Sequence, residues 1–250
     1  CFMAEQKGLV KLTGTVGEYN FYFRKGKAVA RKAGGGFNSE SVKHSPAMVR
    51  TRENSSEFGH VSKFKRLFRL GLFPFLTGFT DPTLHGRLMS LLQTIKTFDT
   101  VSLRGERSLG IALGTPEGQK LLKKFVFSEQ SVSQLLRSRL VFDAASATLT
   151  VADFSTQALK FPLGSSVAEV QFGVLRIDYT QAKTELFMSD AHAITPTATE
   201  TQFSMTPTVL PTGTGVFIAV AGVKFYEVVN GERYLGKSLD AQGVEVVGVW

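Results

Sequence analysis

Short segments rich in β-branched and aromatic residues open the chain and predict a β-hairpin arm with a third short strand. These strands are expected at residues 9–16, 19–23 and 28–32. Turn chemistry at 24–27 separates the last two. Glycines at 34–36 and a polar stretch reaching His44 then predict a flexible connector.

Three helix starts follow, each with a capping side chain before a proline at the first helical position. They are Ser45-Pro46, Asp81-Pro82 and Thr115-Pro116. The first helix is expected to run toward Leu72, interrupted or kinked near Gly59. Apolar residues at three- and four-residue spacing mark the expected inner faces of the first two helices. They are Phe58, Val61, Phe64, Phe68 and Leu72, then Leu84, Leu88, Leu91, Leu92 and Ile95.

From about residue 138 the pattern changes to short strands joined by turns. Hairpins are predicted at 139–152, at 170–189 and around Asn230-Gly231, whose residues tolerate the positive φ of a type I′ turn. Further strands are expected at 200–205 and 244–250. The continuous apolar run 216–223 predicts a strand buried on both faces.

The fold class predicted from these elements is α+β. A basic N-terminal β-hairpin and helices are followed by a C-terminal antiparallel β-sandwich. Three segments are expected: an arm and connector over 1–44, a helical or mixed segment over 45–137, and the sandwich over 138–250.

Composition agrees with a folded chain, because 43% of the 250 residues are hydrophobic and 20% are charged. The longest apolar run, residues 70–79, includes Pro74, and it is far shorter than the roughly 20 residues that a membrane-spanning helix needs. The sequence therefore predicts no transmembrane segment.

The formal charge of +8 is unevenly distributed along the chain. Residues 1–140 hold 23 basic and 10 acidic residues, whereas residues 141–250 hold 6 and 11. This asymmetry indicates a basic layer attached to an acidic body. Such a layer binds nucleic acid, an anionic membrane surface or the acidic face of another copy.

The start of the chain allows two interpretations. Met3 makes a natural initiator, which leaves Cys1 and Phe2 as residues added upstream. Alternatively, Cys1 is the acylated first residue of a mature lipoprotein. Cys1 is the only cysteine, so no intramolecular disulfide is expected.

No residue pattern predicts a reaction centre, so we expect a protein that is not an enzyme. The four histidines are far apart in sequence, and Asp190 with His192 favours a solvated loop over a metal site. The glycines around Thr115 fail the phosphate-loop pattern, because Pro116 removes a backbone donor. We predict no catalytic residue, metal, cofactor or small-molecule substrate.

A basic patch is predicted on and beside the first helix. It consists of Arg50, Arg52, Lys63, Lys65, Arg66 and Arg69, interleaved with phenylalanines. One interpretation is a surface that grips phosphates, lipid headgroups or an acidic partner. The other is an ordinary helix whose phenylalanines are core and whose basic side chains cover apolar surface while their charges reach water.

Several motifs resemble a family of uncharacterised proteins from Bacteroidetes. They are K-G-L-V-K-L-T-G-T-V-G from Lys7, R-T-R-E-N from Arg50 with E-F-G from Glu57, and V-K-F-Y-E-V-V-N-G from Val223. The resemblance runs the full length. It implies a bacterial protein without known enzymatic chemistry that starts at Met3, and it transfers no site residue.

The favoured hypothesis is a structural subunit that assembles with its own copies into a filament, tube or shell, at the cell surface or outside the cell rather than in the cytoplasm. Its N-terminal strand would pair with a neighbour's open sheet edge. The expected interface residues are Val16, Phe21, Phe23, Arg24 and Lys25. One alternative is a nucleic-acid-binding or packaging protein that uses the basic region 1–72. Another is a surface-anchored binding module attached through Cys1.

Overall fold

The chain folds into α+β units, confirming the predicted class. The computed structural model describes residues 3–33, 39–79, 81–179, 181–238 and 240–250. Predictions for Cys1 and for the glycines at 34–36 lie outside these residues. The chain divides into two compact units, residues 1–55 and 56–250. The predicted three-segment division stays a prediction.

The first unit contains a four-stranded antiparallel sheet in the order β1-β4-β3-β2. Its strands are β1 (Met3–Glu5), β2 (Gly14–Val16), β3 (Tyr19–Arg24) and β4 (Lys27–Lys32). Lys25 and Gly26 both have positive φ, 50° and 78°, which matches the right-handed twist of the β3–β4 hairpin.

The predicted strand over 9–16 was wrong for residues 9–13, which form no strand. Here the side chain of Gln6 makes hydrogen bonds to the backbone of the kind that a neighbouring strand would make. Its Oε1 accepts from the Leu12 N–H at 2.8 Å, and its Nε2 donates to the carbonyls of Leu12 and Val29 at 3.3 and 3.2 Å. The other edge of the sheet is β1, which the sequence pattern did not predict.

The predicted connector up to His44 was also wrong in its second part. Residues Ser39–His44 form helix α1, with Glu40 in its first turn and Lys43 and His44 in its last, as the helix dipole favours. A 3₁₀ turn over Pro46–Met48 leads into helix α2 (Val49–Gly71). The predicted interruption near Gly59 was wrong, since one glycine costs a helix only about 1 kcal/mol.

The second unit begins within α2 and adds five shorter helices. They are α3 (Phe73–Leu76), α4 (Leu84–Lys96), α5 (Leu109–Ala112), α6 (Pro116–Lys123) and α7 (Val132–Leu136). The predicted start of α6 is confirmed, because the Thr115 hydroxyl accepts from the Gly118 N–H. Helix α4 starts at Leu84, later than predicted, since Asp81 accepts from the Thr83 N–H in a preceding turn.

Among the described residues of this unit, nine strands form two antiparallel sheets. They are β5 (Arg139–Asp143), β6 (Thr148–Ala152), β7 (Val167–Asp178), β8 (Lys183–Met188), β9 (His192–Ile194), β10 (Phe203–Met205), β11 (Val216–Val229), β12 (Glu232–Leu235) and β13 (Gln242–Val249). The larger sheet has the order β12-β11-β7-β8, with β13 also on β11 and β9 also on β7. The smaller has the order β10-β6-β5. Asn230 and Gly231 form the predicted turn with φ of 52° and 83°.

The larger sheet is buried on both faces, as predicted for residues 216–223. One face, with Leu175 and Ile218, packs on the helices in a first hydrophobic core. The other face, with Phe172 and Ala221, packs on the smaller sheet in a second core, giving a sandwich-like arrangement. Strand β11 therefore contains a nearly continuous apolar run, whereas β7 also includes Glu169, Gln171 and Arg176 at partly buried positions.

Candidate basic groove

The second half of α2 is fixed in its rotation by a buried stripe. Val61, Phe64 and Phe68 are at most 1% exposed and lie in the helix-side core. The stripe continues through Glu57, which is 2% exposed, and not through Phe58, which is 56% exposed. The prediction of Phe58 as a core residue was wrong, because the buried position in this turn belongs to an ion-paired carboxylate.

A groove of about 850 Å³ lies beside this helix, between α2, α3 and the start of α4. Four of the six predicted basic-patch residues line it together. They are Lys63, Lys65, Arg66 and Arg69. Exposed Phe58, Leu70 and Phe73 line it as well. No carboxylate belongs to the lining.

Lys65 forms part of the groove floor. The residue is only 7% exposed, and its Nζ lies 3.0 Å from Nε2 of His85, whose ring nitrogen accepts the bond. Burial lowers the pKa of Lys65, and the positive charge of Arg69 lowers it further. Lys63 lies over the Tyr179 ring, 5.9 Å from its centroid, within cation–π distance. The sequence predicted these charges but not their unequal exposure.

The four groove cations have no anionic partner among the residues that the structure describes: no carboxylate comes within 4.0 Å of any of them. Lys65 and Arg69 are four residues apart on α2, and Lys63 and Arg66 are three apart. Like charges at these spacings repel on a helix. The groove is thus a concentrated, uncompensated positive surface.

Arg50 and Arg52, the other two predicted patch residues, belong to the first unit and have structural partners there. Arg50 pairs with Glu53 at 2.8 Å. Arg52 donates from Nη1 to the carbonyls of Val42 and Ser45, at 2.8 and 3.0 Å. The R-T-R-E motif therefore ties the start of α2 to the segment before it.

Three of the predicted interface residues lie together on one face of the N-terminal sheet. The register pairs Val16 with Tyr19, Phe21 with Ala30 and Phe23 with Ala28, and cross-strand partners point to the same side. Val16, Tyr19 and Phe23 are 59%, 53% and 55% exposed. Arg24 points to the opposite face, and Lys25 lies in the turn.

This apolar face has almost no core beneath it. Ala28 is the only buried residue among residues 4–33. Both hydrophobic cores of the chain are built from residues at Val61 and beyond. A three- or four-stranded sheet normally gains its stability by burying one hydrophobic face.

Glu57 lies in a buried cluster of ionic contacts in the second unit. Its Oε2 accepts from Lys96 Nζ at 2.5 Å, its Oε1 accepts from the Gly105 N–H at 2.9 Å, and Arg107 Nε lies 4.0 Å away. Burial alone would raise the pKa of Glu57. The hydrogen bonds from Lys96 and Gly105 and the charges of Lys96 and Arg107 outweigh burial and lower it. These contacts give the carboxylate a structural role.

His192 is the residue whose surroundings differ most from the predicted solvated loop. It begins strand β9, its Nε2 lies 2.8 Å from Glu200 Oε1, and its ring stacks on Phe203 at 4.0 Å between centroids. Within the described ranges, no three His, Cys, Asp or Glu residues are placed to hold a metal ion together.

No family model, curated protein or solved structure matches this chain. Among the described residues, no helix combines the length and the apolar character needed to cross a membrane. A functional proposal for this protein therefore depends on the geometry of its own surfaces.

Proposed function

We propose that the protein is a non-enzymatic structural subunit that assembles with copies of itself through its N-terminal sheet. The observation that carries the proposal is the apolar face of that sheet, on which Val16, Tyr19 and Phe23 are each more than half exposed. Contiguous exposed apolar surface marks interaction sites in soluble proteins. Full burial of one such side chain is worth about 1.5–3 kcal/mol.

Charge favours another copy of the chain as the partner, in a head-to-tail arrangement. Residues 4–33 hold seven basic and two acidic residues, so two such sheets would repel each other. Residues 141–250 carry the opposite net charge, with 11 acidic and 6 basic residues. Contact between the basic sheet of one copy and the acidic half of the next uses a different surface on each copy, so it extends into a filament, tube or shell where successive rotations do not close a ring.

The β11–β12 hairpin is the surface of the acidic half that suits this contact best. Glu227 and Glu232 are exposed there beside Val228 and Tyr234, which are 41% and 57% exposed. Within the part of the chain that the structure describes, β12 pairs only with β11, so its outer edge is open there. An open edge offers main-chain hydrogen bonds to a neighbouring strand, and alternate side chains give specificity.

Sedimentation velocity over a concentration series tests the proposal. The unaltered protein is expected to form species larger than a monomer, and Phe23→Ser is expected to shift the distribution to monomer by removing an apolar anchor. Val101→Ser is the matched control, since Val101 is 82% exposed and lies outside the proposed contact. A monodisperse monomer at high concentration overturns the proposal.

A second variant leaves the N-terminal sheet unchanged. Glu232→Lys reverses an exposed charge on β12 and is expected to weaken assembly as Phe23→Ser does. Glu106→Lys makes the same charge change at an exposed position outside the acidic half and is expected to leave assembly intact. If both lysine variants assemble alike, the head-to-tail contact is wrong.

A further inference from the structure

We propose that the basic groove beside α2 is a binding site for single-stranded nucleic acid. The phosphates would contact Lys63, Arg66 and Arg69, and bases would stack on Phe58 and Phe73. This inference is independent of the self-assembly proposed above, because every residue it uses lies in the second unit.

The first observation that supports the proposal is the positive charge of the groove, which no carboxylate of the described residues neutralises. Three exposed cations project from one side of α2, a fourth, Lys65, lies beneath them, and none has a carboxylate partner in the described parts of the chain. The charges repel each other on the helix, so a polyanion that neutralises them binds favourably. By contrast, Arg50 and Arg52 of the first unit are already bound to a carboxylate and to carbonyls.

The second support is the spacing of the cations. Lys63 and Arg69 are six residues apart, which corresponds to about 9 Å along the helix axis. A row of cations of this length can contact more than one phosphate of an extended strand. A single free phosphate could contact only some of these cations.

The third support is the position of the aromatic rings. Phe58 lies one helical turn or more before Lys63, and Phe73 follows Arg69 at the start of α3, so the row of cations has an exposed aromatic ring at each end. These rings are 56% and 66% exposed. Stacking on aromatic side chains beside a basic groove is how proteins hold unpaired bases without reading their sequence.

The exposed aromatic rings favour nucleic acid over other anionic partners. The surface is an open groove of about 850 Å³ along which a flexible strand can lie, whereas phospholipid headgroups offer no flat rings to stack on Phe58 and Phe73. A peptide of aspartate and glutamate would satisfy the cations but offers no flat rings to Phe58 and Phe73. A duplex keeps its bases stacked inside the helix, so we expect the site to prefer a single strand.

Fluorescence anisotropy with labelled oligo(dT) of about 20 nucleotides, compared with a duplex of equal length, tests this proposal. The chain of 250 residues is expected to bind the single strand more tightly than the duplex. Neutralising three phosphates predicts a slope of about −2 when the logarithm of the affinity is plotted against that of the salt concentration.

Two sets of variants assign the binding to the groove. Lys63→Gln, Arg66→Gln and Arg69→Gln together are expected to reduce affinity at least tenfold and to flatten the salt dependence. Phe73→Ala is expected to reduce affinity about tenfold with the slope unchanged, since stacking carries no net charge. Lys120→Gln, Lys123→Gln and Lys124→Gln remove the same charge at exposed positions at the end of α6 and are the matched control.

Three results would overturn the proposal. They are equal binding by the groove triple variant, an equal loss in the α6 control, and tighter binding of polyglutamate or phosphatidylserine vesicles than of oligo(dT). Far-ultraviolet circular dichroism of each variant separates a lost contact from a lost fold. All the substituted groove positions in these variants are exposed, so the fold is expected to be retained.

Discussion

At the scale of single residues, Glu57 joins three parts of the second unit. It lies on α2, receives a hydrogen bond from Lys96 at the end of α4, and holds the backbone of Gly105 in the following loop. Asp99 fixes the same loop by accepting from the N–H groups of Ser102 and Ser108 at 2.9 and 2.8 Å. The loop has no regular secondary structure, and these two buried carboxylates hold its backbone by accepting hydrogen bonds from its N–H groups.

Glu57→Gln is expected to destabilise the protein by about 3 kcal/mol, because it leaves the Lys96 ammonium, whose side chain is only 12% exposed, without its counter-ion. Urea unfolding at about pH 7 measures the loss. Glu106→Gln, at an exposed position in the same loop, is the control and is expected to change stability by less than about 0.5 kcal/mol. An equal loss of stability in the two variants would contradict a stabilising role of the Glu57–Lys96 ion pair.

The pH dependence of stability gives a second readout of Glu57. Its pKa is lowered on folding from the ordinary value of 4.5, so the unfolded state binds the proton more readily. Its contribution is therefore present above pH 4.5 and is lost as the pH falls through the lowered folded pKa. The gap in stability between the unaltered protein and Glu57→Gln is expected to narrow over that window.

At the scale of secondary-structure elements, close backbone contacts determine where glycine is required. A Cβ on Gly118, in the first turn of α6, would lie 2.2 Å from the Ala112 carbonyl oxygen. That oxygen belongs to α5, so α6 can pack there only without a side chain. Gly86, within α4, has open space around its Cβ position.

Alanine substitutions at these two glycines are expected to have opposite effects. Gly118→Ala should destabilise the protein by about 1–3 kcal/mol, because backbone must move to relieve the contact. Gly86→Ala should stabilise it by up to about 1 kcal/mol through higher helix propensity. Thermal unfolding of both variants measures the difference, and a stabilised Gly118→Ala would contradict the packing of α6 on α5.

At the scale of the whole molecule, the two units differ in what stabilises them. Both hydrophobic cores draw only on residues from Val61 onward, and the sheet of the first unit buries only Ala28 among residues 4–33. The second unit thus has the buried area of an independent folding domain, whereas the sheet of the first leaves the apolar side chains of Val16, Tyr19 and Phe23 more than half exposed.

A chain of residues 49–250 is therefore expected to fold on its own and to lose self-association. It retains all of α2 and both cores, but it lacks the N-terminal sheet. Cooperative thermal unfolding by circular dichroism checks the fold, and sedimentation velocity checks the loss of assembly. A shortened chain without a cooperative transition would contradict the independence of the second unit.

Local signals were predictable wherever neighbours in sequence alone decide the conformation. Asn230-Gly231 forms its turn because both residues accept positive φ, and Thr115 caps α6 because its hydroxyl reaches an N–H three residues on. Helix α7 carries a similar signal in the capping box of Ser131 and Gln134, although no helix was predicted there.

Predictions failed where a specific side-chain partner accompanies a departure from the apolar pattern. On α2 the buried stripe passes through Glu57 and not through Phe58, and Lys96, 39 residues away, pairs with that carboxylate. Residues 9–13 form no strand, and the Gln6 side chain bonds to Leu12 there. Hydrophobic periodicity could not identify Lys96 or Gln6 as a partner, because it shows which positions are polar but not which residues contact each other.

The sequence by itself determined the α+β class, most of the strands and the polarity of charge along the chain, because these follow from short-range periodicity, turn chemistry and composition. Only the tertiary structure decided which of the six predicted basic residues share a surface. The core fixes the rotation of α2 and gathers Lys63, Lys65, Arg66 and Arg69 in one groove, while Arg50 and Arg52 are bound within the first unit. Tertiary packing decides this, because α2 buries the face that packs against residues from distant parts of the chain.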